Sequence, residues 1–326
     1  MGLHLYRFDP GSGHKQVSYK LSLYRSEAVQ RVTCNSFFIE YWGSGSLERS
    51  FSTMASYLST DKKKITATRF MAMKGEGDKI AMLTAYDFTM ARLLDEAGVD
   101  AILIGDSASN VVIGNATTLP ITLDQMIYHA RCVANGAKHA FIVADMPFGT
   151  VHGDPQVALA AAVRMMKESG VDAVKVEGGH QVADSLKMIL DAGIPVVAHL
   201  GLTPQSVNKL GGYSVQAKEE AEAEQLLSDA RLVEKLGCCG LVLEKIPSAL
   251  AKRVTESISI PTIGIGAGNE TDGQVLVCTD MLGMTMGFKP KFLRHFANVG
   301  VQIQEAVATY CREVKAQTFP NDSESY

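Results

Sequence analysis

The strongest constraint on the fold of this chain is a regular alternation of short apolar runs with longer amphipathic segments, starting at Ile80. Runs of this length are typical of strands buried on both faces, and the segments between them are long enough for helices. The apolar runs are Ile80–Thr84, Ala101–Gly105, Phe141–Ala144, Ala173–Val176, Val196–Ala198, Gly240–Leu243, Thr262–Ile265 and, more weakly, Met281–Thr285. Eight repeated βα units predict an α/β protein with a single closed (β/α)8 barrel of the TIM type.

The segments between the runs carry helix boundary signals. Asp154 and Pro155 form an N-cap followed by proline at the first helical position, and glycines such as Gly98 and Gly170 follow predicted helix ends. The predicted helices are Phe88–Ala97, Leu123–Asn135, Pro155–Ser169, Val182–Ala192, Glu219–Leu236, Ser248–Ser257 and Val299–Ala316.

An open, doubly wound sheet is the competing architecture, because its parallel strands are also buried on both faces. The count of helices and strands favours the barrel. Gly264-x-Gly266-x-Gly268 lacks the final spacing of a dinucleotide-binding fingerprint and follows the seventh run rather than the first. These glycines therefore indicate tight turns or close backbone approach rather than a nucleotide site.

The two ends of the chain differ from the barrel region. Residues 1–55 show neither helical nor strand periodicity, which predicts a poorly ordered N-terminal extension. Residues 56–320 are predicted to form the barrel, and residues 321–326 a frayed tail.

The charge balance limits the possible partners. The net charge of -4 arises from 31 Lys and Arg against 35 Asp and Glu, which leaves no basic excess for nucleic acid. The sequence also lacks a continuous apolar stretch long enough to cross a membrane and a secretory signal. We therefore expect a cytoplasmic protein with no membrane or nucleic-acid partner.

Polar residues follow the apolar runs at the positions where a barrel builds its active site, the carboxyl ends of the strands. These residues are Asp106, Ser107, Asp145, Lys175, Glu177, His199 and Glu244. A single acid at such a position is most often a helix cap or a solvated charge. Several carboxylates from neighbouring strands would repel one another unless a cation lay between them.

A magnesium ion fits this donor set, because Mg²⁺ prefers oxygen ligands and keeps several waters. Asp106 and Asp145 are the expected direct ligands, and Glu177 is expected to act through a water or from outside the coordination shell. His199 is either a supporting residue or ligand, or a core histidine whose nitrogens are satisfied by hydrogen bonds.

Such a metal would polarise a 2-oxo acid and make the neighbouring C–H bond acidic. Glu244, after an apolar run, is the candidate base, and an ion pair with Lys245 is its structural alternative. Lys175 and Ser107 are suited to binding the substrate carboxylate. A Schiff-base role for Lys175 is the rival interpretation.

Together these residues lie in motifs that resemble the ketopantoate (3-methyl-2-oxobutanoate) hydroxymethyltransferase family, from about Lys74 to Phe319. The motifs are Thr84-Ala85-Tyr86-Asp87, Gly105-Asp106-Ser107, Thr118-Leu119-Pro120, Ala144-Asp145-Met146-Pro147-Phe148, Val174-Lys175-Val176-Glu177-Gly178-Gly179, His199-Leu200-Gly201-Leu202-Thr203-Pro204-Gln205, Gly211-Gly212-Tyr213 and Gly264-Ile265-Gly266-Ala267-Gly268.

The resemblance implies a magnesium-dependent transfer of a hydroxymethyl group from 5,10-methylenetetrahydrofolate to 3-methyl-2-oxobutanoate, in pantothenate biosynthesis. It also implies a homo-oligomer, typically a decamer. By the family's pattern, Asp106, Asp145 and Glu177 are metal positions, and Glu244 is the proton acceptor. The substrate contacts implied by the same pattern are Asp106, Ser107, Asp145 and Lys175.

Two positions depart from the family pattern, and two other functions compete with the leading one. Thr279 stands where the family has histidine, and Ala217 where it has glycine. A lyase or mutase of the phosphoenolpyruvate and oxaloacetate type would use similar metal chemistry without folate, and a non-catalytic barrel would use none. The presence of all the strand-end acids argues against the non-catalytic barrel.

Overall fold

The computed structural model describes residues 63–287 and 289–326. Within them, eight parallel strands close into a barrel in chain order, β1 to β8, which confirms the predicted fold class. The strands are β1 (Ile80–Thr84), β2 (Ala101–Ile104), β3 (Phe141–Asp145), β4 (Ala173–Glu177), β5 (Val196–Gly201), β6 (Gly240–Glu244), β7 (Thr262–Ile265) and β8 (Gly273–Leu276). The predicted extension at residues 1–55 lies outside the described residues.

Helices separate most of the strands, and the long ones follow the predicted segments closely. The α-helices are α1 (Ala67–Glu76), α2 (Phe88–Ala97), α3 (Ala108–Val111), α4 (Leu123–Gly136), α5 (Pro155–Ser169), α6 (Ala183–Asp191), α7 (Val207–Leu210), α8 (Glu220–Leu236), α9 (Ser248–Ser257), α10 (Cys278–Met281) and α11 (Val299–Lys315). Short 3-10 turns occur at His180–Val182, Pro204–Ser206 and Asp322–Glu324. Helix α1 was not predicted from the sequence.

The prediction of the eighth strand was wrong. Met281–Thr285 lies in the end of α10 and the turn after it, and the strand that closes the barrel is Gly273–Leu276. Gly273 pairs with Ile80, and a Cβ atom at this glycine would lie 2.5 Å from the Ile80 carbonyl oxygen. Glycine has low strand propensity, so the close packing that requires it here also hides the strand from a search for apolar runs.

Helix α1 closes the end of the barrel where the strands begin. Its Phe70 is fully buried and stacks on Phe141, the first residue of β3, with ring centroids 4.9 Å apart. Gly240 starts β6 beside the Phe70 ring, which is 2.9 Å from the position of a Cβ at this glycine. With one end closed by apolar side chains, an active site can form only at the carboxyl ends of the strands.

Asp95 of α2 joins the outer helices to the barrel. Its carboxylate is buried and accepts hydrogen bonds at 2.8–3.0 Å from the backbone N–H groups of Lys138, His139 and Ala140, just before β3. The Asp95 carboxylate therefore satisfies, in place of water, three backbone N–H groups in the connection between α4 and β3.

Replacing Asp95 with alanine is expected to lower the free energy of unfolding by about 3 kcal/mol, because buried donors then lose a charged acceptor. Urea denaturation followed by circular dichroism measures this change. The control is Glu96→Ala in the same helix, which removes only the exposed pair with Arg92 and should change stability little. Equal stability losses in the two variants would contradict the role given to Asp95.

Candidate active site

The carboxyl ends of neighbouring strands bring the predicted site residues together. Strand register places Asp145 beside Lys175, and Glu177 beside His199. A cavity of about 420 Å³ opens at this end of the barrel, within the size range of small-ligand pockets. All the residues predicted from the sequence line it: Asp106, Ser107, Asp145, Lys175, Glu177, His199 and Glu244.

Asp106 and Asp145 form a buried carboxylate pair. The backbone N–H of Asp106 donates to Asp145 Oδ2 at 2.9 Å, so the strand end itself sets their relative position. Burial raises the pKa of Asp106 well above its usual range, and the charges of Asp145 and Glu177 raise it further. Burial also raises the pKa of Asp145, although Lys175 offsets part of this. The protein alone supplies too little positive charge for these acids.

Lys175 is the cation within this cluster. Its Nζ lies 3.1 Å from Asp145 Oδ1 and 3.7 Å from Glu177 Oε1. Burial alone would lower the pKa of Lys175, but the surrounding carboxylates outweigh burial and raise the pKa. An ammonium group has no lone pair for attack on a carbonyl, so this setting favours carboxylate binding over the Schiff-base role.

His199 joins two glutamates. Its Nδ1 lies 3.4 Å from Glu177 Oε1, and its Nε2 lies 3.5 Å from Glu244 Oε2. Burial and Lys175 lower the pKa of His199, but the close contacts with the two glutamates outweigh them and raise it to about 9. Lys175 Nζ also lies 3.1 Å from Nδ1, within hydrogen-bond distance, so Lys175 and His199 both lie against Glu177.

Glu244 ends β6 at the wall of the cavity, and its side chain is partly accessible. The alternative ion pair with Lys245 is not present among the described residues. The Lys245 ammonium instead donates a hydrogen bond to the Tyr213 carbonyl oxygen. Glu244 thus lies beside His199 while its carboxylate faces the cavity, which is the arrangement a general base needs.

Ser107 is oriented by a residue from the neighbouring strand end. Tyr86 lies 2.8 Å from it, hydroxyl to hydroxyl. Burial raises the pKa of Tyr86, so the phenol stays protonated. This contact fixes the Ser107 hydroxyl at the cavity wall, where it can bind a ligand oxygen.

Gln205 organises the acids, although no role was predicted for it. Its side-chain Nε2 donates to Asp106 Oδ2 at 2.9 Å, and its backbone N–H donates to Glu177 Oε2 at 3.0 Å. Its sequence signal is its place at the end of the motif His199-Leu200-Gly201-Leu202-Thr203-Pro204-Gln205, six residues beyond the strand-end position of His199. Gln205 donates two hydrogen bonds to oxygens that would otherwise repel each other.

The donor set fits a hard divalent cation. Asp145 Oδ1 and Glu177 Oε1 are buried and accept no hydrogen bond, so both can receive a further positive partner. No three His, Cys, Asp or Glu side chains in residues 63–287 and 289–326 meet as a complete metal-binding group. Mg²⁺ needs only one or two protein carboxylates, because waters and substrate oxygens complete its shell.

Neither of the two departures from the family pattern replaces a residue of the acid cluster. Ala217 has a φ of 54°, the left-handed conformation that glycine adopts more easily. Thr279 accepts a hydrogen bond from the Thr285 hydroxyl at 3.2 Å. The acid cluster is therefore intact despite both changes.

A (β/α)8 barrel with buried carboxylates, a lysine and a histidine at its carboxyl end has the layout of a barrel enzyme. The family model of ketopantoate hydroxymethyltransferase matches residues 64–322 of the chain. The chain belongs to that family, as the sequence motifs predicted.

Curated relatives agree with the family match. The chain is 57% identical to the 3-methyl-2-oxobutanoate hydroxymethyltransferase of Bacteroides fragilis over 273 residues, 84% of this chain and 100% of the relative. It is 57% identical to the enzyme of the same name from Porphyromonas gingivalis with the same coverage. The Flavobacterium johnsoniae enzyme of that name is 58% identical over 82% of this chain and 98% of its own length.

Solved structures support the fold at much lower identity. A 2,3-dimethylmalate lyase of the PEP mutase/isocitrate lyase superfamily matches with a TM-score of 0.52 and 17% identity, over 80% of this chain and 91% of the lyase. A phosphonopyruvate hydrolase matches with a TM-score of 0.51 and 10% identity, over 79% and 93% of the two chains. At these identities the likeness extends to the barrel and no further.

Proposed function

We propose that this chain transfers a hydroxymethyl group from 5,10-methylenetetrahydrofolate to 3-methyl-2-oxobutanoate, giving 2-dehydropantoate and tetrahydrofolate in pantothenate biosynthesis. The C3–H bond breaks and C3 bonds to the methylene carbon of the folate. Both C–N bonds of that carbon break, water supplies the hydroxyl oxygen, and the two folate nitrogens take up the protons released from C3 and from water. The observation that carries the proposal is the cavity in which Glu244 lies beside a buried group of Asp106, Asp145, Lys175 and Glu177. The names of the highly identical relatives support the same substrate.

Asp106 and Asp145 are proposed to hold Mg²⁺ directly, with Glu177 acting through a water or outside the coordination shell. When bound, Mg²⁺ supplies a Lewis acid that stabilises the enolate of the oxo acid. Two buried oxygens, Asp145 Oδ1 and Glu177 Oε1, accept no hydrogen bond, which supports this assignment. The pKa of the Asp106 carboxyl is raised, first by burial and then by the charges of Asp145 and Glu177, which also favours a cation beside it.

The remaining residues have roles that follow from their charge and contacts. Lys175 and Ser107 bind the substrate carboxylate by charge and by hydrogen bonding, together with Asp106 and Asp145 at the oxo-acid site. Glu244 removes the C3 proton as general base. His199 positions Glu244 through the 3.5 Å contact and links it to Glu177.

We also propose a homo-oligomer, with the decamer taken from the family resemblance. Helix α11 supports an interface between copies, because none of its residues is buried within the chain and it exposes apolar residues such as Ile303, Val307 and Tyr310. No helix in the described part of the chain is long and apolar enough to span a membrane. The cytoplasmic location stays a prediction.

The deciding experiment follows conversion of 3-methyl-2-oxobutanoate by the purified protein, with and without methylenetetrahydrofolate and before and after chelation. We expect 2-dehydropantoate only when folate and Mg²⁺ are both present, and recovery when Mg²⁺ is added back to the chelated enzyme. Carbon–carbon cleavage of an added 2-hydroxy acid without folate would instead identify the lyase alternative. Absence of both reactions in folded protein that binds Mg²⁺ would overturn the proposed function.

A further inference from the structure

The active-site cavity extends beyond the acid cluster to the region around β8. This second part, here called the β8 subsite, is lined by Leu276, Val277, Asp280, Thr285, Phe292 and Leu293. None of these residues takes part in metal binding or proton transfer as proposed above. A small oxo acid held at the acid cluster would leave this region for another ligand.

Asp280 is the one carboxylate of the β8 subsite. It is only 8% exposed, and its Oδ1 is buried without a hydrogen-bond partner in the structure. Burial raises the pKa of Asp280, and the nearby Thr285 hydroxyl and the charge of His295 only partly oppose this. A buried carboxylate without full partners indicates that donors come from a ligand, because an unmet buried acceptor destabilises the fold.

The rest of the β8 subsite is mostly apolar, and basic residues flank two of its lining residues in the sequence. Phe292 and Leu293 line the cavity and offer an aromatic face and an aliphatic wall. The residues on either side of this pair, Lys291 and Arg294, are exposed to solvent. A matching ligand has adjacent N–H donors for the Asp280 carboxylate and a flat ring for the apolar wall. Its other end carries carboxylates, which suit the flanking basic residues.

We propose that the β8 subsite binds the folate co-substrate, with Asp280 accepting hydrogen bonds from the 2-amino group and N3–H of the pteridine ring. Phe292 packs against the ring, and the glutamate tail of the folate leaves the cavity past Lys291 and Arg294. This inference rests on the proposed function. It also explains why one cavity contains both Glu244 and Asp280, since the methylene carbon must reach the carbon that loses its proton.

Two variants test the assignment, each read out by two independent assays. Calorimetric titration with tetrahydrofolate measures folate binding, and exchange of the C3 proton of 3-methyl-2-oxobutanoate in D2O with Mg²⁺ measures proton transfer without folate. Asp280→Asn is expected to weaken folate binding about 10- to 100-fold, because asparagine lacks the negative charge and offers one acceptor oxygen where aspartate offers two. Proton exchange should stay within about twofold of wild type, because the acid cluster is unchanged.

Phe292→Ala should also weaken folate binding, while Phe88→Ala is its matched control. Phe88 is exposed at the start of α2 and does not line the cavity, so its removal should leave folate binding unchanged. Wild-type folate affinity in both Asp280→Asn and Phe292→Ala would overturn the subsite, as would equal loss of binding and exchange in both. Absence of C3 exchange in the wild-type protein would contradict the proposed function, while folate titration would still decide the subsite.

Discussion

Replacing Glu244 with glutamine is expected to abolish C3 proton exchange and to lower kcat about 10²- to 10⁴-fold, the usual contribution of a general base. Glutamine keeps the size of the side chain and one oxygen that can face His199. In the wild-type protein His199 Nε2 lies 3.5 Å from the Glu244 carboxylate. It cannot take up a proton at neutral pH. Binding of the oxo acid should therefore change little while proton transfer stops.

Nuclear magnetic resonance of 3-methyl-2-oxobutanoate in D2O measures the exchange, and steady-state assays give kcat and KM separately. The matched control is Glu256→Gln, an exposed glutamate in α9, the helix that follows β6. This variant should exchange the proton at the wild-type rate. Exchange at the wild-type rate in Glu244→Gln would remove Glu244 from the role of base.

Replacing Asp106 with asparagine is expected to change metal affinity and stability in opposite directions. Magnesium affinity should fall at least about 100-fold, because even partners outside the coordination shell alter metal affinity 10- to 100-fold. The metal-free protein should become more stable, by on the order of 1 kcal/mol. Asparagine mimics the neutral form of a carboxyl whose pKa is raised, first by burial and then by Asp145 and Glu177.

A carboxyl with a raised pKa destabilises the folded state at neutral pH, and this destabilisation disappears as pH falls through that pKa. Calorimetric titration with Mg²⁺ measures the affinity, and thermal melting in a chelator measures the stability. Asp124→Asn is the control, since Asp124 pairs only with the exposed Arg164. Unchanged magnesium affinity in Asp106→Asn would contradict the assignment of Asp106 as a ligand.

Local signals in the sequence were enough for most of the barrel and for the acids of its site. Seven of the eight strands were located because each is a short, largely apolar run. Helix α5 begins at Pro155 after the Asp154 cap, where the sequence predicted it. The candidate acids were also found from the sequence, because polar residues stand out directly after buried strands.

Other features depended on residues far apart in the chain, and only the folded barrel decided them. β8 was missed because Gly273 packs against Ile80, and no local pattern records that contact. Gln205 reaches Asp106 across 99 residues of sequence. The raised pKa of His199 depends on Glu177 and Glu244, which come from its two neighbouring strands. Composition and periodicity report local preference, whereas protonation, hydrogen-bond partners and cavity shape arise from distances that closure of the barrel sets.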